Sequence, residues 1–357
     1  MFNNIYKNKK ILVTGHFGFK GSWLCLWLSK LGSDVCGISL KNDNKFNHFD
    51  LLNLNNVKSY LCDIRNFKEI DRIFQEFQPE VVFHLAAHAL VIESYKNPVD
   101  TFTSNLNGTI NVFEACRKCR SVKSIVAISS DKCYENIEQI YGYRETDPMG
   151  GYDPYSASKG CMELLINCYR NSFFKDNDIL IASGRAGNVI GGGDWSKYRI
   201  IPDLIKSVVN DENLEIRSPF AIRPWQHVLE PITGYLVLGQ KLIERRKEFA
   251  EGWNFGPSDD NTLTVKEIID LAIRHWPEIK DNLSFGNAEW HEANLLRLDC
   301  TKSKMKLKFK NILSIDKTIE MTVNWYYNFY NKNVIDSFKN LSEYIEIAKT
   351  NNMEWLN

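Results

Sequence analysis

The chain has 357 residues, with 44 basic and 44 acidic side chains and a formal charge of zero. That length holds one large domain or two smaller ones sharing a cleft. The neutral balance excludes a global cationic field for nucleic acid or an anionic membrane, so any anion site must be local. Nine cysteines lack metal-ligand or disulfide spacing, and the one close pair, Cys116 and Cys119, lies in a helical pattern, as idle thiols in a reducing cytosol would. Residues 1–10 are polar and basic, and residues 22–31 are apolar but too short for a span. The expectation is a cytoplasmic globular protein with no membrane segment, no nucleic-acid partner and no metal.

In chain order, short apolar runs alternate with helical patterns, which is the grammar of a parallel sheet covered on both faces. Strands are expected at residues 11–14, 35–39, 59–62, 81–85, 124–129 and 179–182, and helices at 19–31 and 99–117. The run Ile125-Val-Ala-Ile128 is apolar on both sides, as in an internal parallel strand. Pro154 opens a further helix at its first position, with Asp153 placed to cap it. After Asn188 the texture changes to a glycine loop, then aromatics, prolines and arginines with short helical stretches to about residue 257. A helical block at 264–276 and a charged amphipathic tail follow. The expected architecture is α/β: a Rossmann-type doubly wound parallel sheet with a smaller mixed α/β substrate-binding cap. The sheet domain takes residues 1–188 with returning segments near 226–257. The cap takes 189–225 and 258–357.

Three motifs carry chemistry. Gly15, Gly18 and Gly21 lie between the first strand and its helix, where a tight turn lets the backbone approach a pyrophosphate at the helix N-terminus. Asp63, followed by Ile64 after the third strand, is placed to accept from an adenine amino group, or to cap the next helix. Small residues at Leu85-Ala86-Ala87 let a cofactor lie close to the backbone. At the end of the second strand the chain reads Ser39-Leu40-Lys41, without the usual acidic residue, which leaves NAD and NADP both open. Tyr155 and Lys159, four apart, share a helix face. The lysine ammonium is expected to lower the phenol's pKa and make it a base for a hydroxyl proton. Ser129-Ser130-Asp131-Lys132 ends the fifth strand beside this pair, and its polar groups point to a second step, removal of water.

Five stretches carry a resemblance: Thr14-Gly-His-Phe-Gly-Phe-Lys-Gly-Ser-Trp23, Ser130-Asp-Lys-Cys-Tyr-Glu-Asn136, Asp147-Pro-Met-Gly-Gly151, Arg185-Ala-Gly-Asn-Val-Ile-Gly-Gly-Gly-Asp-Trp195 and Ile222-Arg-Pro-Trp-Gln-His-Val-Leu-Glu-Pro231. From about residue 9 to 257 the chain resembles the CDP-glucose 4,6-dehydratase family of the extended short-chain dehydrogenase/reductases. The resemblance implies C4 oxidation of a nucleotide sugar, loss of water across C5–C6 and hydride return to C6 on one nicotinamide. It implies Ser130, Asp131, Lys132, Tyr155 and Lys159 as catalytic residues. Cofactor contacts implied are Gly15, Phe17, Gly18, Phe19, Asp63, Ile64, Leu85, Ala86, Ala87, Asn105, Ser129, Tyr155 and Lys159. Substrate contacts implied are His88, Asn188, Arg199, Arg223 and Trp225, with the arginines on phosphates and the indole under a base or ribose.

In dTDP-glucose dehydratases the triplet reads Thr-Asp-Glu, with aspartate the acid and glutamate the C5 base. Here Lys132 stands at the base position, either as an amine of depressed pKa or as a cation beside the enolate. Ala87-His88-Ala89-Leu90-Val91-Ile92 departs from the expected Ala-Gln-Pro-Leu-Val-Arg, which leaves the sugar and nucleotide open. Rival readings are a 4-epimerase, a 4-dehydrogenase, a dehydratase of another nucleotide sugar or heptose, and a nicotinamide-binding regulatory protein without turnover. Helices near 99–117 and 155–174 match those that pair in a four-helix interface, so a homodimer is expected, with a tetramer as the alternative.

Overall fold

A computed structural model describes residues 1–41, 44–216, 218–257, 262–286 and 296–357. The first half alternates β1 (Lys10–Thr14), α1 (Phe19–Lys30), β2 (Asp34–Ser39), α2 (His48–Leu52), β3 (Val57–Leu61), α3 (Phe67–Phe77) and β4 (Val81–His84). It continues through α4 (Val91–Lys96), α5 (Pro98–Phe102), α6 (Gly108–Lys118), β5 (Ser124–Ile128), α7 (Pro154–Tyr169) and β6 (Leu180–Arg185). Then come β7 (Val189–Ile190), α8 (Ile200–Asn210), β8 (Leu214–Ile216), β9 (Ile222–Pro224), β10 (Gln226–His227), α9 (Leu229–Ile243) and β11 (Gly252–Asn254). The chain closes with β12 (Thr262–Thr264), α10 (Val265–His275), β13 (Leu283–Phe285), α11 (Thr301–Lys306), α12 (Ile315–Lys332) and α13 (Ser337–Thr350).

The main sheet is seven-stranded and parallel, in the order β11-β6-β5-β4-β1-β2-β3. The order reverses between β1 and β4, so a crevice opens at their carboxyl ends, where ligands sit in doubly wound folds. Strands β4, β5 and β6 are buried throughout, which explains their uninterrupted apolar runs. One face of the sheet packs against α1, α9 and α13, through residues such as Trp27, Leu236 and Tyr344. The other packs against α3, α6 and α7 through Phe74, Phe113 and Ile166. A third apolar cluster gathers Ile190, Trp195, Leu204, Trp225, Ile268 and Trp325 on the side of the cap. The C-terminal α13 joins the sheet's cluster rather than this third one, with Trp355 stacking on Phe2 at 5.3 Å between ring centroids.

Three elements differ from the sequence reading. The helix expected over 99–117 is interrupted by a π turn at Thr103–Asn107, whose extra residue turns Asn105 inward. The sixth strand runs three residues further than expected, to Arg185, and so carries that guanidinium into the interior. The short helical stretches expected before residue 257 include a fifteen-residue helix, α9, nearly all of it buried. Apolar all round, α9 shows no amphipathic stripe by which to read it.

Candidate active site

The cofactor side of the crevice is built by close backbone approach. Gly15 has φ +78° and its absent Cβ would stand 2.8 Å from the Ala86 amide nitrogen, so a side chain there is excluded twice over. At Gly21 a Cβ would meet the Gly15 carbonyl oxygen at 2.1 Å, which closes the turn tightly against α1. Thr14 Oγ1 accepts from the Leu85 and Ala86 amides at 3.2 and 3.1 Å and lies 2.7 Å from His84 Nδ1, tying β1 to β4 across the reversal. Gly18 precedes the first residue of α1, Phe19, and leaves the helix without a side-chain cap. Phe17 packs edge-on against Phe49.

Further out, Asp63 is clasped by Arg65, whose hydrogen bonds hold the carboxyl below its ordinary pKa. The helix cap there is Asn66, not Asp63. Ile64 fills the space beside Gly108. Asn105 accepts from the His88 amide at 2.7 Å and donates to Ser158 Oγ at 2.8 Å, which pins the segment after β4, Ala87 included, to α7.

Across the crevice, Asp153 caps α7 by accepting from the Ser156 amide at 2.9 Å, with Pro154 at the first position. Tyr155 and Lys159 then lie on one buried face. The Tyr155 amide donates to Ser94 Oγ on α4 at 3.2 Å. Lys159 Nζ donates to the Ile128 carbonyl at 3.2 Å, at the end of β5. After β5 the Ser129 amide donates to the Gly184 carbonyl, and a single tight turn carries Asp131 and Lys132. In it Ser130 Oγ donates to Asp131 Oδ1 at 3.0 Å and accepts from the Lys132 amide at 3.2 Å. Gly187 backs directly on this carboxylate: a Cβ there would lie 1.8 Å from Asp131 Oδ2.

Electrostatics correct one expectation. Burial pushes the Tyr155 phenol up to about 12, and the hydrogen bond with Ser130 opposes this only in part. The lysine does not bring the phenol into the neutral range, because desolvation of a phenolate outweighs the nearby polar groups. Burial also lowers two ammonium groups to about 8, that of Lys159, with Glu163 opposing, and that of Lys20, with Arg199 adding and Asp131 opposing.

From the cap, Arg199 Nη1 pairs with Asp194 at 2.7 Å and couples electrostatically to Tyr155 and Lys20. Arg223, on β9, donates to its neighbour's carbonyl, Ile222 O, at 2.9 Å. Asn188 adopts φ +42° and its carbonyl accepts from the Gln226 amide, which joins β6 to the cap. Trp225 is buried in the cap's apolar cluster with its indole N–H on the Leu263 carbonyl, so its ring is not presented to the cleft. His88 turns its ring to α5, with Nδ1 3.1 Å from Thr101 Oγ1 and Nε2 4.0 Å from Asp100.

The profile of the GDP-mannose 4,6 dehydratase family matches residues 12–322. The chain belongs to that family. It is 45% identical over 329 residues to the CDP-glucose 4,6-dehydratase of Salmonella typhimurium, covering 90% of this chain and 92% of the relative. In fold it is similar to a dTDP-glucose 4,6-dehydratase from Streptomyces venezuelae solved with NAD bound, with TM-score 0.78 and 19% identity over 90% of this chain and 98% of that one. It is also similar to a UDP-glucose 4-epimerase of Thermotoga maritima, with TM-score 0.77 and 23% identity over 89% of this chain and 98% of that one.

For a 4,6-dehydratase family member the structure adds two residues that line the cavity, Gln226 and Arg297, and a third, Lys20, that couples electrostatically to the site. Gln226 and Arg297 line one cavity with Asp131 and Gly187, and Arg297 Nε is buried there without a hydrogen-bond partner among the described residues. Lys20 sits inside the glycine motif, and its position, inward on the first turn of α1, is the signal that could have found it. Arg297 lies far down the chain in a segment without a motif, and only the fold brings it to the pocket.

Proposed function

We infer that this protein is a nucleotide-sugar 4,6-dehydratase that converts CDP-glucose to CDP-4-keto-6-deoxyglucose and water. The observation that carries the reading is the Asp131 carboxylate seated on Gly187 beside the Tyr155–Lys159 pair. A 4-epimerase needs no acid near C6, and a 4-dehydrogenase needs none either. The identity with the Salmonella enzyme, over nearly the full length of both chains, supports CDP-glucose as substrate.

The turn at Gly15, packed on Ala86 with no room for a side chain, fits a pyrophosphate pressed against backbone, and NAD is the cofactor proposed for it. Bound there, nicotinamide would supply the hydride acceptor for C4 and, once reduced, the hydride for C6, and its positive charge when oxidised would favour the phenolate. Tyr155, oriented from α7, takes the proton of the C4 hydroxyl, and Ser130 hydrogen-bonds the same oxygen. The C4 ketone acidifies C5–H. Lys132 serves that proton or the enolate it leaves, while Asp131, as the carboxylic acid, gives its proton to the departing C6 hydroxyl and is left a carboxylate. Arg199, Arg223 and Arg297 offer forked donors to the diphosphate.

No helix among the described residues is long and apolar enough to cross a membrane. A cytoplasmic homodimer is proposed, in which α5, α6 and α7 pair with a second copy through exposed Val99, Ile110 and Leu164. The test of the reaction is CDP-glucose deuterated at C4, incubated without added reductant. Deuterium recovered at C6 of a product lighter by one water is the expected result. Label lost to solvent, or left on accumulating reduced nicotinamide, refutes the dehydratase reading.

A further inference from the structure

Tyr155, Lys159 and Glu163 follow one another at four-residue spacing, so they form a ladder along one face of α7. Lys159 and Glu163 are both buried. Glu163 Oε2 accepts from Arg185 Nη2 at 2.8 Å and from Ser183 Oγ at 2.7 Å, and the Ser129 hydroxyl also acts on this carboxylate. Arg185 is itself fixed: Nη1 donates to Tyr134 Oη at 2.6 Å, and Tyr134 donates to Asn254 Oδ1 at 2.7 Å. The clamp therefore spans β6, the turn after β5, and β11. Among the described residues Lys159, by contrast, has neutral acceptors, the Ile128 carbonyl at 3.2 Å and Met162 Sδ at 3.6 Å. An ammonium so placed loses hydration without gaining a paired anion.

We propose that Glu163 is a positioning residue for Lys159: clamped by Arg185 and Ser183, its carboxylate is the fixed negative charge one helical turn away that keeps Lys159 an ammonium. The proposal rests on the reading that Tyr155 and Lys159 carry out C4 oxidation. Groups facing this pair are accounted for from each neighbouring element. Cys133, after β5, is a neutral thiol with its pKa raised by burial, and His84 on β4 is lowered to about 3 and neutral. Lys20 on α1 adds positive charge near Lys159, while Arg185 on β6 and Arg170 at the end of α7 face Glu163. Asp131 acts on Lys20 and Tyr155. Glu163 heads the influences that oppose the effect of burial on Lys159.

The experiment is the pH dependence of C4 oxidation in single turnovers with CDP-glucose, read by reduced-nicotinamide absorbance, in the full chain. In Glu163→Gln the alkaline limb, where Lys159 loses its proton, is expected to move down by about one unit or more, the usual effect of removing an opposite charge nearby. The rate on the acid side of that limb should change far less. Glu163→Asp, which keeps the charge and withdraws it by one methylene, should move the limb in the same direction by a smaller amount. A uniform fall at every pH, with the limb unmoved, would mean a merely structural ion pair and overturns the proposal. If Arg185 left unpaired prevents Glu163→Gln from folding, the double variant Glu163→Gln/Arg185→Met leaves no buried lone charge, and the limb should move in the same direction by a smaller amount, since the pair's charges are removed together. If that too fails, Glu163→Asp alone must show a smaller shift in the same direction, and an unmoved limb there overturns the proposal. Full turnover in Tyr155→Phe and Lys159→Met would instead sink the functional reading, so the two failures are distinguishable.

Discussion

Gly187→Ala is a one-carbon perturbation aimed at a single step. The new Cβ would stand 1.8 Å from Asp131 Oδ2, against ordinary contact from 3.4 Å, so the carboxylate must retreat by about 1.6 Å. The substitution asks for no unusual backbone, because Gly187 is not among the positive-φ glycines. Overpacking of this kind costs roughly 1–3 kcal/mol, which a chain with several apolar clusters should survive. Misplacing an acid by more than an ångström costs on the order of 10²-fold in the step it serves. Ser130 donates to the same carboxylate at 3.0 Å, so oxidation at C4 should slow by a smaller factor. The assay is single turnover with CDP-glucose, following reduced nicotinamide by absorbance and 4-keto-6-deoxy product by mass. The expected pattern is accumulation of reduced nicotinamide with product formation down about 10²-fold. Product formed at the unsubstituted rate would show that Asp131 does not act as the acid at C6, and the site reading would fail at its central residue.

Lys132→Met should still reduce the cofactor but lose solvent-deuterium exchange at C5, whereas Asp131→Asn should stall at the same stage and retain that exchange. If Lys132→Met cannot oxidise C4 at all, the role assigned to it is wrong. A second test concerns stability: Glu230 is buried on α9, accepts from the Ile312 and Leu313 amides at 2.9 Å and from Tyr344 Oη at 2.9 Å, and burial raises it from 4.5 to about 7. Its folded pKa exceeds the unfolded one, so the folded chain holds a proton that the unfolded chain releases, and stability falls as pH rises from 4.5 through 7. In denaturant titrations the stability of the unsubstituted chain relative to Glu230→Gln should therefore drop by about 3 kcal/mol between pH 5 and pH 8. Parallel pH dependence in the two proteins would refute burial as the controlling influence.

What was legible in the sequence was local. The glycine turn, the Pro154 start with its Asp153 cap, and the i, i+4 placement of Tyr155 and Lys159 each follow from residues within one turn of one another. The parallel strands announced themselves because burial on both faces forces an apolar run. The Asp131–Gly187 contact could not be read this way, since it joins the end of β5 to the segment after β6 and depends on steric fit across neighbouring strands. Helix α9 hid because its burial removes amphipathic period. The resemblance implies Trp225 as a platform for a base or ribose, but its indole closes the cap's core. The phenol's surroundings are hidden for a related reason: sequence shows that a lysine is near and says nothing of how much water both groups have lost.

The same distinction between local and global applies to charge. A chain of zero formal charge binds anions only through a local cluster, and cations from four separate parts of the fold gather around Asp131 and Tyr155. Lys20 enters from α1, Lys159 from α7, Arg199 from the start of α8 and Arg297 from beyond α10. Against them stand Asp131 and Asp194, the latter already paired with Arg199. Burial lowers the ammonium groups of Lys20 and Lys159, with Arg199 adding to the effect at Lys20. A nucleoside-diphosphate sugar brings negative charge. Bound near Lys20, that charge would oppose the effect of burial on its ammonium.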